Sequence, residues 1–507
     1  MKSRFWGVFF LICFFLLLTP QAKAREWTIL GPRALGMGGA HVAVVNDSTA
    51  SYWNPAAYGF FGGEEKENNG KRDCSSVIYG GVGGQVHEDL SERLDRILDY
   101  DYDLLDTGQI SAESVADYVG LINELQTFND NKDRAVMVIA NAGISGQMGH
   151  FGVGGHIFAE VSGSGWLDLV NIAPVESGII YDLDDFTDPA NFGYAGTSGV
   201  YTYYDQPGNP SSGELFSYLT TTLGWTDTQA QNFTDATDFG LTQTVQSGET
   251  IPSDILDQIQ NVASLADTTA GAGGSFADND SLLLFKGMAV TEIPITYGHA
   301  ITKNLAIGGN IKFMKARVYN SSIQIFDVDD FKDALDDATK DYKESQNFGV
   351  DLGVLYRLGD DLRVGIVGRN LNSPEFDVEQ IFLNDDDTIE EKIQARAGVA
   401  YKPLSSLTLA LDMDLTKNET TLSGGYDSQN IGGGIELNLF KILNLRGGAY
   451  ENIAESDIGV VYTAGLGLNL WLINLDIGAS MASKSSEIDG DDIPKEAKVM
   501  LALSMLF

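Results

Sequence analysis

Apolar and polar positions alternate with a period of two in segment after segment of this chain. The last eleven residues, from Ala497, set Val499, Leu501, Leu503, Met505 and Phe507 on one face of an extended strand. Lys498, Met500, Ala502, Ser504 and Leu506 fall on the other. An edge strand in a soluble sheet would leave unpaired backbone groups beside so apolar a face, whereas a closed membrane barrel has no edge. Other stretches repeat the pattern. Leu407, Leu409, Leu411, Met413 and Leu415 oppose Thr408, Asp412, Asp414 and Thr416, and Ile393, Val399 and Tyr401 oppose Gln394, Arg396 and Lys402. Charges on the second face predict a polar barrel interior. About fourteen extended stretches are expected, near 75–86, 134–146, 149–162, 281–300, 305–320, 346–358, 361–371, 391–403, 405–416, 430–440, 441–451, 457–469, 471–481 and 495–507. The reading is all-β: a transmembrane antiparallel barrel of about 14 strands spanning 75–507, closed by the strand that ends at Phe507.

The connections give an independent test, because outer-membrane barrels alternate short periplasmic turns with long outer loops. Long segments at 87–133, 163–280, 321–345, 372–390, 417–429 and 482–494 alternate with short turns at Gly146 to Met148, Lys303-Asn304, Gly359-Asp360, Pro403-Leu404, Lys441-Ile442 and Leu470-Trp471. Only the connection near Asn452 to Ser456 is short on the long side. Within the two longest insertions, 111–128 carries Val115, Tyr118, Val119, Ile122 and Leu125 on one helical face, and helices are expected near 213–223, 226–235 and 252–265. Tyr-rich extensions are expected at Ile179 to Asp182 and Val200 to Tyr204. The two insertions read as helical extracellular caps.

The amino terminus points to export. Lys2 and Arg4 precede an apolar run from Phe5 to Leu18, followed by Ala22-Lys23-Ala24, so 1–24 reads as a signal peptide and the mature chain as starting at Arg25. Cys13 leaves with the leader, and Cys74, as the single remaining cysteine, forms no internal disulfide. Residues 25–74 precede the first strand. Gly36, Gly38 and Gly39 allow tight backbone approach, and Asn54-Pro55-Ala56 reads as a turn. A lumen of fourteen strands is too wide for its own side chains to fill, so this segment is expected to plug it.

Net charge of -39 excludes nucleic acid as a partner, since phosphate binding needs a basic surface. The acid concentrates in the long loops, as a solvated rim or, at Asp99, Asp101 and Asp103, with the opening spacing of a calcium loop whose glycine position holds Leu104. No catalytic or metal residue and no cofactor is assigned. His41, His87, His150, His156 and His299 form no close ligand pair, and His150 and His156 would stand about 20 Å apart in an extended strand. Ser145 and Ser162 lie near histidines in sequence, which is poor evidence of a dyad.

The ALGMGGA element and the NPA turn are similar to the start of FadL-type outer-membrane transport proteins. ITYGHAITKNLAIGGNIKFMKARVY, FGVDLGVLYRL and LRVGIVGRNLNSPEF resemble the conjugal-transfer TraF-like barrel family, which shares that start. The family name carries no thioredoxin-like activity here, since no CxxC is present. The FadL resemblance implies that the amino-terminal segment is a hatch, that Asn54, Pro55 and Ala56 form its turn, that apolar small molecules bind beside it, and that a kinked strand opens a route through the wall. Pro294, inside the fourth stretch, reads as such a wall break or as a strand end. Expected partners are the outer-membrane bilayer, the barrel-assembly machinery and a hydrophobic ligand, fatty-acid-like or aromatic. A second reading is a structural component of secretion or conjugal transfer that binds a protein through 163–280.

Overall fold

The computed structural model describes residues 25–61, 74–90, 135–168, 202–248, 250–270, 280–324, 342–378, 388–420, 426–470, 472–488 and 491–506, with 22–23, 183, 187–188 and 340. Fourteen strands form one closed barrel in sequence order. They are β1 (Cys74–His87), β2 (Ala135–Met148), β3 (Phe151–Trp166), β4 (Leu282–Thr302), β5 (Leu305–Gln324), β6 (Lys343–Leu358), β7 (Leu362–Arg369), β8 (Gln394–Leu404), β9 (Leu407–Asp414), β10 (Asn430–Leu439), β11 (Leu443–Asn452), β12 (Val461–Leu470), β13 (Ile473–Ala482) and β14 (Glu496–Leu506). Antiparallel pairing of β14 with β1, from Ser75 opposite Leu506 to Gln85 opposite Glu496, closes the ring. Every expected stretch is a strand.

Three turns differ from expectation, the last by one residue, since Leu470 ends β12 opposite Ile473. Gly146 to Met148 belong to β2, and the chain reverses at Gly149 and His150, where Gly149 takes a φ of 57°. Pro403 and Leu404 lie within β8, whose register with β9 shifts between Tyr401 and Leu404, a bulge that accommodates the proline. Calcium spacing at Asp99 to Asp103, the helix at 111–128, the extension at Ile179 to Asp182 and the terminal Phe507 lie outside the described residues, as does nearly all of the leader. Tyr203 and Tyr204 are described and form no strand.

Period two sorts the two faces. Ile78, Val138, Ile144, Leu352, Leu411 and Leu501 are exposed on the outside, an apolar face of the kind a bilayer covers, while Gln394, Arg396, Asp412, Asp414 and Lys312 are buried on the inside. The inner charges meet one another and the amino-terminal segment, where the alternation alone implied that they face water. No helix among the described residues is long and apolar enough to cross a membrane.

Beyond the long-loop end, three helices build a separate core: α3 (Ser212–Thr221), α4 (Asp227–Ser247) and α5 (Ile255–Ala270). Capping boxes start the first two, Ser211 with Glu214 and Thr226 with Gln229, and Gly248 at φ 91° ends α4. Leu215, Leu219, Trp225, Phe233 and Ala263 fill the space between them. α4 runs twelve residues past its expected end at 235. That second half is rich in Thr and Gln, so no strong apolar stripe reveals it.

Candidate functional site

Residues 25–61 fill the lumen and are held on two sides of the wall. Gly31 at φ 87° turns the chain into a short helix, α1 (Pro32–Gly36), with Pro32 at its first turn. Gly38 and Gly39 then adopt φ of 65° and 76°, and the Gly39 amide closes back onto the Ala34 carbonyl at 2.8 Å. The turn lies flat on glycines of the wall. A Cβ on Gly36 would come 2.9 Å from Gly465 Cα, and one on Gly38 would fall on the carbonyl oxygens of Ala449 and Gly433. Asp412 of β9 fixes the following residues, its Oδ2 accepting the amides of His41 at 2.7 Å and Val42 at 2.8 Å. Arg33 reaches Glu436 through two bonds of 2.9 and 2.8 Å.

The second hold is the NPA turn, which follows α2 (Ala50–Trp53). Asn54 is fully buried. Its side-chain oxygen accepts the Ala56 amide at 3.1 Å, and its amide nitrogen donates to Val42 at 3.3 Å and to the Val354 carbonyl of β6 at 3.1 Å. Pro55 opens a 3-10 turn, Pro55–Phe60, whose backbone rests on Gly298 and Gly308, while the Asn54 side chain and the Pro55 ring lie on Gly353. Ala56 is buried against the same sector. Gly36 and Gly38 are therefore contact points against β10–β12 and Asn54, Pro55 and Ala56 against β4–β7, whereas Gly39 packs on Ile29 of its own segment.

An ion cluster at the outer end of the segment was not foreseen. Glu292 of β4 is its hub, 3.0 Å from Arg25, 3.2 Å from Lys312 and 2.7 Å from Arg369. Arg25 also meets Glu391 at 2.5 Å, Lys312 meets Asp351 at 3.2 Å, and Arg396 meets Asp414 at 2.6 Å. The guanidinium groups of Arg369 and Arg25 lie over Tyr52 and Phe158 at 4.1 and 4.8 Å. Inward parity of Glu292, Lys312, Asp351 and Arg396 on their strands was the available signal.

His41 is buried beside Trp53, the rings 5.3 Å apart, and burial holds its pKa well below 6.5, with nearby Arg33 acting in the same direction. The neutral ring is therefore the folded form, and its contribution is present above pH 6.5 and is lost as pH falls from there toward the lowered folded value. The seat of residues 31–45 is expected to weaken by up to ~1.4 kcal/mol per pH unit in that range. Hydrogen exchange of this segment at pH 5.0 and 7.5 reads the effect. A His41→Phe variant is expected to show a smaller difference between the two.

Neither Ser145 nor Ser162 is hydrogen-bonded to the histidine near it in sequence. His156 Nδ1 bonds Tyr79 Oη at 2.8 Å and its Nε2 lies 3.4 Å from Ser51 Oγ, a serine of the inserted segment. Ser145 instead bonds Ser48, and Ser162 donates to the Lys286 carbonyl. No three potential ligands gather for a metal among the described residues.

Pro294 lies inside β4 and does not end it. Pairing of β3 with β4 runs to Val153 opposite Ile295 and resumes at His156 opposite Glu292, leaving Gly154 and Gly155 unpaired with Ile293 and Pro294. A Cβ on Gly155 would meet nothing within 4 Å. Apolar side chains flank the break outside, and His156, Phe158 and Tyr52 stand behind it. A cavity of about 20 Å³ between Ile29, Leu35 and Asn141 has room for about one water.

A family match begins within the inserted segment and ends in β9. The chain belongs to the family described as F plasmid transfer operon, TraF, protein, whose model matches residues 51–414. Among solved structures, this TraF-family chain is similar to the toluene transporter TbuX of Ralstonia pickettii, at 12% identity over 94% of this chain and 98% of that one, TM-score 0.44. It is also similar to the toluene transporter TodX of Pseudomonas putida, at 11% identity over 96% and 99%, TM-score 0.43. A FadL homologue of Pseudomonas aeruginosa gives 9% identity over 96% and 99%, TM-score 0.42. No curated protein matches the chain.

Proposed function

We propose that this protein is an outer-membrane barrel that passes small apolar molecules between the bilayer and its lumen, with residues 25–61 acting as a hatch. The observation that carries the reading is the interrupted ladder between β3 and β4 at Gly154–Gly155 and Ile293–Pro294. A barrel wall is otherwise sealed by strand pairing, and proline gives no N–H to restore it. Outside the break, Ile144, Val153, Ile157, Ile293 and Ile295 are all at least 42% exposed, an apolar approach from the lipid side. Inside it, aromatic rings of the hatch and wall meet, with Tyr52 and Phe158 5.4 Å apart and Trp27 6.1 Å from Tyr52. In this reading the hatch shifts, His156 swings away from Ser51 and Tyr79, and a ligand takes the space against the aromatic faces.

Flux of an apolar fluorescent probe into proteoliposomes tests this. Pairing the gap through Gly155→Val with Pro294→Val is expected to cut flux about tenfold, and deleting residues 31–61 to raise it. Unchanged flux in a folded, paired variant would sink the wall route.

A second reading is favoured by the three-helix cap. Between 163 and 280 the sequence has no Lys, Arg or His, so its surface charge is acidic alone, suited to docking a basic protein during secretion or conjugal transfer. Co-purification of a partner that is lost on removal of 202–270, with no ligand in the barrel, would favour assembly over passage.

A further inference from the structure

Four buried N–H groups at the outer end of the hatch have no hydrogen-bond acceptor: Arg25 Nη1, Trp27 Nε1, Arg369 Nε and Arg396 Nη1. All four residues are at most 6% exposed. They are neighbours, since Arg25 and Arg369 share Glu292, and the guanidinium carbons of Arg369 and Arg396 lie 5.5 and 4.9 Å from the centre of the Trp27 ring. Buried donors are almost always paired, so four unpaired ones in one cluster call for an occupant that brings acceptors.

The charge count selects the kind of acceptor. Arg25, Lys312, Arg369 and Arg396 already face Glu292, Asp351, Glu391 and Asp414 through the ion pairs given above, four cations to four carboxylates. Asp412, which holds the His41 and Val42 amides, adds a fifth carboxylate. An incoming anion would therefore gain no net attraction and would meet like charge. A pure hydrocarbon would suit the rings of Trp27, Tyr52 and Phe158 but leave every N–H unpaired. Asn310 Oδ1, Asn370 Oδ1 and Asp412 Oδ1 nearby also lack a donor. The unpaired N–H groups of the four side chains, without surplus positive charge, fit the oxygen of a neutral molecule.

We propose that this cluster recognises a neutral molecule that joins an apolar ring to a carbonyl-type oxygen, such as an aryl ketone, ester or quinone. The proposal rests on the reading that ligands enter against the hatch. Ring faces hold the apolar body by stacking and cation–π contact, and the free guanidinium and indole N–H groups donate to its oxygen. Residues 25–30 belong to no helix or strand, so this stretch yields without breaking a ladder.

Three probes of similar size separate the possibilities: acetophenone, ethylbenzene and benzoate at pH 7.5, titrated by ligand-observed NMR into the full barrel in mild detergent. Acetophenone is expected to bind about tenfold more tightly than ethylbenzene, the equivalent of one well-made hydrogen bond, with benzoate weakest. Trp27→Phe keeps an aromatic face and removes one donor, and is expected to shrink the ratio of ketone to ethylbenzene affinity about threefold. Arg396→Lys is expected to act in the same direction. Equal binding of ketone and hydrocarbon, or benzoate binding most tightly, would overturn the donor assignment while leaving the ligand site intact. No saturable binding of any probe would overturn the ligand site itself, leaving ordered water as the acceptor.

Discussion

Gly38→Val is expected to unseat the hatch while leaving the barrel in the membrane. Gly38 has φ 65°, a conformation that a β-branched residue adopts only with strain, and its missing Cβ lies within 2.5 Å of two wall carbonyl oxygens, those of Ala449 and Gly433. Neither oxygen can yield, because both belong to barrel backbone. The combined strain and overlap amount to about 3 kcal/mol or more, enough to displace a segment that has no ladder of its own. The barrel's pairing does not pass through Gly38, so heat-modifiable migration on gels should persist. Single-channel recording should show open conductance that the parent lacks, and residues 31–61 should become protease-sensitive. Gly31→Val is the contrast: φ is 87° there too, but a Cβ meets nothing within 4 Å, so only the backbone strain remains and a smaller effect follows. Equal behaviour of the two variants would show that the glycine bed does not hold the hatch.

The barrel was legible because its code is one-dimensional. Each strand needs only alternation, and each register follows once a short turn fixes where the chain reverses, so the stretch at 441–451 anticipated β11 without knowledge of its neighbours. Gly36, Gly38 and Gly39 were legible as close-approach positions, but not what they approach, since Gly433, Gly448 and Gly465 lie some 400 residues away and look like ordinary strand glycines. The ion cluster escaped for the same reason. Glu292, Lys312 and Arg369 are unremarkable alone, and only closure of the barrel sets their strands around Arg25. Pro294 was legible as a break or an end. The choice depended on β5, which pairs with β4 straight through it, Pro294 opposite Lys312, while β3 does not.

Glu292→Gln is the change expected to act most strongly at the outer end. Three cations, Arg25, Lys312 and Arg369, converge on this one carboxylate, which is 2% exposed. Removing one partner of a buried ionic group leaves uncompensated charge, and the cost is typically about 3–5 kcal/mol. Two of the cations belong to the wall and cannot leave. Arg25 sits on the hatch and can, so the least costly response is withdrawal of residues 25–30 and hydration of the space. Glu292→Gln is therefore expected to speed hydrogen exchange at 25–30 sharply, with little change at Asn54–Phe60, which the NPA turn holds independently. Adding Arg25→Gln restores the charge balance: Glu292→Gln alone leaves four cations against three carboxylates in this network, and the double variant has three of each. The double variant is expected to lose less than the sum of the single ones, a coupling of at least about 1 kcal/mol in a double-mutant cycle. Additive losses would mean that Arg25 and Glu292 act separately, and that the outer end of the hatch is held by its aromatic packing instead.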